Sequence, residues 1–288
     1  MNISTNKVDR FQVIESRNYS TILQILRDRL PISGAIYNVA VTICKDNTKK
    51  MECYSLDGEL TEEKAVILIN YITEDVGQNI NISLPSNFIT ITQDFKEALL
   101  STCAINWTGS HMFVGIERIL SPLIVEISAF TMGNSVDVTP TLSYWISPQK
   151  IDELTMQKQG NIQTKQLDVG HGVEFFMKNT PNAKSEERIR SMITNSVSIG
   201  AYKEGGIVVA AALLSHRGQV GPLLTAQDHR RNGYGLTCMI ELLKEMKNQG
   251  FQGASSVVKD NVKSIRLHEK LGMTMTHESD WISHTRAE

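Results

Sequence analysis

The chain has 288 residues, with 29 basic and 31 acidic side chains and a formal net charge of −2. Apolar residues make up 41% and charged residues 21%, proportions of an ordinary globular protein that exclude a disordered, collagen-like or disulfide-stapled chain. No stretch approaches the roughly 18 consecutive apolar residues of a membrane-spanning helix, and a near-neutral molecule has no field that draws it to nucleic acid. Residues 1–15 hold no apolar run, and so lack the cationic-then-apolar pattern of a secretory signal.

Ser20 can cap a helix that carries Ile22, Leu23, Leu26 and Leu30 at helical spacing and is stopped by Pro31. Ala35, Tyr37, Val39, Val41 and Ile43 then alternate, which predicts a half-buried strand. Residues 52–56 and 64–71 read as further strands and 94–100 as a helix; no catalytic motif occurs before residue 150. Ser147-Pro148-Gln149-Lys150, followed by polar residues 157–164, sets the expected boundary between a domain over 1–150 and one over 151–288.

Past that boundary the punctuation is clearer. A strand is predicted over 163–169, helices over 172–179 and 185–195, and a hairpin of 197–202 and 207–214 joined at Gly205-Gly206. His216-Arg217-Gly218 turns the chain into a strand over 219–225, and the polar loop 226–232 feeds a helix running from Gly233 or Tyr234 to Gln249. Leu236, Met239, Ile240, Leu243 and Met246 form a 3.6-residue stripe on that helix. A strand at 254–259, a helix at 261–271 and a strand near 273–276 complete a mixed α/β order. Cys44, Cys53, Cys103 and Cys238 have neither C-x-x-C spacing nor a histidine at zinc-ligand spacing, so reduced thiols and no metal are expected.

The segment Asp228-His229-Arg230-Arg231-Asn232-Gly233-Tyr234-Gly235 lies between a strand and an amphipathic helix. Unpartnered N–H groups at a helix start carry the positive end of the dipole. Glycines at 233 and 235 would let a pyrophosphate approach that backbone, and Arg230 and Arg231 would add charge-assisted bonds. The same residues also suit a plain glycine-rich helix start with a solvated basic turn. His229 inside the loop suits phosphate binding or solvent, and Cys238, one turn into the helix, suits the core.

Arg230, Gly233 and Gly235, with Asn261, Ser264, Lys270, Gly272 and Met273 downstream in order, resemble the two motifs of the GNAT superfamily of acyl-CoA-dependent N-acyltransferases. A narrower resemblance, to the glycine N-acyltransferase-like family, rests on Leu26-Arg27-Asp28-Arg29-Leu30-Pro31 with Ile36-Tyr37, Ile105-Asn106-Trp107, Leu167-Asp168-Val169 and Ser279-Asp280-Trp281. It implies tandem GNAT-like folds, the first degenerate and without a cofactor motif. It implies acyl-CoA as co-substrate, held by Leu223, Leu224, Thr225, Arg230, Arg231, Asn232, Gly233, Tyr234, Gly235, Asn261 and Ser264. It also implies a splayed strand pair, near 218–225 and 254–259, whose free N–H groups meet the thioester carbonyl.

The glutamate that family uses as base falls at Gln219, whose amide has no useful proton affinity; His216, three residues upstream, titrates in the right range. His268 stands where many members place a tyrosine to protonate the departing thiolate. The expected activity is acyl transfer to glycine or another small amine by direct attack in a ternary complex. Alternatives are an acyl-CoA-binding protein with weak or lost catalysis, or an N-acetyltransferase for a different amine. A monomer with no nucleic-acid or membrane partner is expected, in the cytoplasm or, by analogy with vertebrate relatives, in mitochondria.

Overall fold

The computed structural model describes residues 8–45, 51–73, 76–132, 136–155, 162–180 and 185–284. The opening and much of the expected 157–164 boundary segment lie outside those residues. The chain divides into two compact units, Met1–Ser143 with Thr276–Glu288, and Tyr144–Met275. Residues 144–150 thus group with the second unit and the last thirteen with the first, whereas the sequence placed its boundary at Lys150.

In chain order the first unit carries β1 (Phe11–Val13), α1 (Tyr19–Asp28), α2 (Gly34–Lys45), β2 (Met51–Leu56), β3 (Ile67–Thr73), β4 (Gly77–Ser83), α3 (Gln93–Ser101), β5 (His111–Glu117), α4 (Ser121–Met132) and most of β6 (Val136–Ile146). The last strand, β12 (Thr274–His284), returns to it. Its strands lie in the order β1-β2-β3-β4-β5-β12-β6. β4 and β5 run parallel, and β12 is antiparallel to β5 with His284 opposite His111. Leu68, Ile80, Leu99, Phe113, Ile116, Leu120 and Ile124, each fully buried, centre its core. Arg29 is buried too, its guanidinium donating to the carbonyls of Ser83, Glu62 and Ala65 and to Ser83 Oγ, so its desolvation is offset by hydrogen bonds.

The alternating segment from Ala35 to Ile43 is helix α2, not a strand. Ile36, Tyr37, Asn38, Val39, Ala40, Val41 and Ile43 are all buried, so the helix is enclosed on nearly every side. A helix apolar all round contains period-two runs by default, and the alternation carried no information about the period. The preceding helix starts at Tyr19 with Asn18 as N-cap, two residues ahead of the Ser20 cap expected.

The second unit continues with α5 (Pro148–Glu153), β7 (Gln163–Gln166), α6 (Val169–Asn179), α7 (Glu186–Thr194), β8 (Ser198–Tyr202), β9 (Val208–Leu214), β10 (Val220–Thr225), α8 (Tyr234–Asn248), β11 (Gly253–Val258) and α9 (Val262–Lys270). Strands β10-β9-β8-β7 form an antiparallel sheet with β10 at its edge. β11 instead hydrogen-bonds beside β6, whose residues 144–146 fall in this unit. α8 buries Met239, Leu242, Leu243 and Met246 almost completely, each worth about 1.5–3 kcal/mol of transfer free energy. Asp168 caps α6 by accepting from His171 N at 2.9 Å, Ser185 caps α7, and Asn261 caps α9, accepting from Ser264 N at 3.2 Å.

Two thiols are buried, Cys53 and Cys238, and two exposed, Cys44 and Cys103; burial raises the Cys53 and Cys238 pKa values to about 12. Among the described residues no helix is long and apolar enough to cross a membrane.

Candidate active site

Strand β10 enters the site through an irregularity. Val220 pairs with Leu214 and Leu223 with Ala212, so one residue of β10 is extra at Gly221-Pro222. Gly221 holds φ 133°, open only to glycine, and Pro222 has no N–H for the ladder, so the two residues form the bulge the sequence dictates. Beyond it Leu223, Leu224 and Thr225 pair with Ala212, Ala211 and Ala210, all three half-buried. On its other side β10 has no ladder with β11 among the described residues; the two belong to different sheets and touch where Ser255 Oγ lies 3.3 Å from Val220 O.

The loop after β10 folds back on it. Ala226 N donates to Val209 O at 3.0 Å, and Arg230 Nε donates to Thr225 O at 3.3 Å. Asn232 Nδ2 donates to the carbonyls of His229 and Arg230, both at 3.3 Å, while Arg230, Arg231 and Asn232 remain exposed. Arg231 at φ 65° and Gly233 at φ 76° are both left-handed. Gly233 is the N-cap of α8 and, being glycine, brings no side chain to cap that terminus; Thr237 N donates to Gly233 O at 3.1 Å. A left-handed residue followed by a helical one turns successive N–H groups to one side, an anion-binding nest. A Cβ on Gly235 would lie 2.9 Å from Thr225 Oγ1, so glycine there lets α8 start against the end of β10.

Lys203, at the end of β8, brings Nζ within 3.5 Å of His229 Nδ1, and the His229 ring lies 6.4 Å from that of Tyr234. The lysine adds a cation beside the loop that sequence reading missed, because it is 26 residues upstream and marked only by the Gly205-Gly206 turn beside it.

Asn261 and Ser264 meet at the start of α9, and His268 one turn on bonds back to the second of them, Nδ1 to Ser264 O at 2.7 Å. Its Nε2 lies 2.8 Å from Ser255 Oγ, and its ring packs on Tyr144 at 5.2 Å between centroids. His268 is 4% exposed, and burial holds its pKa below the ordinary histidine range. Burial likewise raises Tyr144. Gln219 is 6% exposed and precedes β10, its carbonyl accepting from Ser215 N at 2.8 Å; His216 is half-buried on the turn between β9 and β10. Sequence reading missed Ser255 and Tyr144, small and aromatic residues on strands with no motif around them. Among the described residues no group of three histidine, cysteine or acidic side chains could hold a metal ion.

An open strand pair, a bulge and an uncapped glycine-led helix are the parts of a GNAT fold, and residues 173–273 match the acetyltransferase (GNAT) family. The match covers about a third of the chain and lies wholly within the Tyr144–Met275 unit. The whole chain resembles a Drosophila protein of known structure at a TM-score of 0.81 and 12% identity, over 98% of this chain and 100% of that one. It also resembles a tandem GNAT protein from the clavulanic acid biosynthesis pathway at a TM-score of 0.55 and 10% identity, covering 96% and 98% of the two chains. A GCN5-related N-acetyltransferase from Sphaerobacter thermophilus aligns at 0.55 with 12% identity, covering 98% of each. These likenesses establish a mixed α/β GNAT fold. By sequence alone the chain matches none of the curated proteins.

Proposed function

We propose that this protein moves an acyl group from a CoA thioester to the amine of glycine or another small molecule by direct attack in a ternary complex. The observation that carries the reading is the left-handed Gly233 at the start of α8, a backbone turn that presents N–H groups to an anion such as a pyrophosphate. Arg230, Arg231, Asn232, Tyr234 and Gly235 surround it, Leu223, Leu224 and Thr225 lead into it, and Asn261 and Ser264 border the second strand. The bulge at Gly221-Pro222 breaks the β10 ladder beside β11, and the Gly221 N–H there is the donor this reading assigns to the tetrahedral oxyanion.

Gln219 does not serve as base, so the amine attacks already neutral or hands its proton to His216. His268, bonded to Ser255 of β11, acts on the thiolate side of the gap. The short matches around Arg29, Trp107, Asp168 and Asp280 support the glycine acceptor. The buried amide of Gln219 favours one second reading, an acyl-CoA-binding protein with weak catalysis. Calorimetry with acetyl-CoA and benzoyl-CoA, followed by free-CoA release with a panel of amines led by glycine, tests both. Micromolar binding with turnover supports the enzyme, binding without turnover supports the second reading, and no binding refutes each.

A further inference from the structure

Ser255 of β11 stands between a ring nitrogen and a carbonyl. Its Oγ is 2.8 Å from His268 Nε2 and 3.3 Å from Val220 O, and it is 4% exposed. On the far side of the ring, His268 Nδ1 is 2.7 Å from Ser264 O. A carbonyl oxygen only accepts, so Nδ1 carries a hydrogen in either charge state. In the neutral ring Nε2 is then a bare acceptor, and Ser255 gives it the single hydroxyl proton. The Val220 carbonyl gets nothing from Ser255 in that state. When the ring takes up one proton from solvent, Nε2–H donates to Ser255 Oγ, and the hydroxyl proton turns to Val220 O. One proton therefore redirects the serine hydroxyl and adds a bond between β10 and β11 at the point where they diverge.

We propose that His268 is a positioning residue whose proton, relayed through Ser255, ties the Val220 peptide to β11 and sets the opening of the gap between the strands. The consequence for acyl-CoA rests on the function proposed above: the neutral ring leaves the gap open for the thioester, and the charged ring narrows it. Val220 C=O and Gly221 N–H belong to one peptide plane, so a pull on the first turns the second, at the bulge itself. From β6, Tyr144 faces the ring; from β11 and β10 come the neutral Ser255 and Val220, and on α9 the neighbours are Ser264 and exposed Glu269. Tyr144 stays neutral through the acid range, since burial raises it, so no fixed charge from the facing strands holds the imidazolium.

The experiment uses the full chain labelled with 15N. Long-range 15N–1H spectra between pH 8 and pH 5 read the His268 tautomer, and the Gly221 amide shift reads the peptide. The expected result is an Nδ1–H tautomer above neutrality and a Gly221 shift that titrates with the His268 ring. In Ser255→Ala the ring still titrates and Gly221 does not; in His268→Gln Gly221 is flat. Acetyl-CoA affinity in the native chain falls about fivefold across the same titration, the worth of one ordinary hydrogen bond, and shows no such step in Ser255→Ala. An Nε2–H tautomer, or a Gly221 titration that survives in Ser255→Ala, overturns the relay. If acetyl-CoA fails to bind at any pH while Gly221 follows His268, the acyl-CoA reading falls and the relay stands.

Discussion

Gly233 offers a graded test of the loop. Its φ of 76° is the left-handed conformation that a Cβ penalises by roughly 1–2 kcal/mol in L-residues, with asparagine spared most of it and β-branched residues hit hardest. Arg231 already holds φ 65° two residues earlier, so the loop carries one such strain and a second is added to it. The stability order should be Gly233 > Gly233→Asn > Gly233→Ala > Gly233→Val, with alanine costing about 1 kcal/mol, or roughly 2–4 °C in melting temperature for a domain of this size. Binding should fall further than stability. A methyl at this position stands between an anion and the N–H groups that start α8, and each lost charge-assisted bond costs about 1.5–3 kcal/mol. Acetyl-CoA affinity should therefore drop at least tenfold in Gly233→Ala and vanish in Gly233→Val, as measured by calorimetry on variants shown by circular dichroism to be folded. A Gly233→Val chain that binds acetyl-CoA as the native one does refutes the nest. An alanine variant as stable as the native chain refutes the left-handed cap.

Arg230→Ala should weaken acetyl-CoA by about 1.5–3 kcal/mol without changing the melting temperature, since the residue is exposed and its Nε bond to Thr225 O is replaceable by water; unchanged calorimetry would remove Arg230 from the site. Gln219→Glu places a carboxylate in a 6%-exposed position, where desolvation raises its pKa toward that of a useful base. Turnover of small amines should rise by about 10²–10⁴ and climb with pH, and a variant that binds acetyl-CoA normally with no gain on any amine counts against a missing base. His111, His268 and His277 are each held below the usual histidine pKa by burial. The unfolded chain therefore binds more protons in acid. Stability is complete above pH ~6.5 and declines below it, each ring adding up to about 1.4 kcal/mol per pH unit until its folded pKa is passed. Urea midpoints at pH 7.5, 6 and 5 measure this, and equal midpoints would contradict it.

Much of the Tyr144–Met275 unit was legible because its signals are local. The Gly205-Gly206 turn, the apolar stripe on α8 and the Asn261 cap each lie within a few residues of the element they define. The first unit was less so. β4 reads as Gln78-Asn79-Ile80-Asn81-Ile82, and its asparagines look like loop residues; both are buried, Asn79 donating to Thr73 Oγ1 and Asn81 to Val114 O. Those partners come from other strands, which a one-dimensional reading cannot supply. The same holds within the site. The loop from Arg230 to Gly235 announces itself by composition, whereas Tyr144, Ser255 and His268 converge from three segments more than a hundred residues apart end to end. Ser255 has no signature until His268 is seen beside it.

The sorting of the four thiols bears on how turnover can be followed. Free CoA is counted by chromogenic disulfides that react with thiolates, and the protein brings its own. Cys53 and Cys238, buried and with pKa values near 12, stay silent in the folded chain, while Cys44 and Cys103 are open to the reagent. A native blank therefore reads two equivalents per chain, and a climb toward four during an assay signals unfolding, not catalysis. The colorimetric trace that measures product thus carries an internal gauge of intact protein.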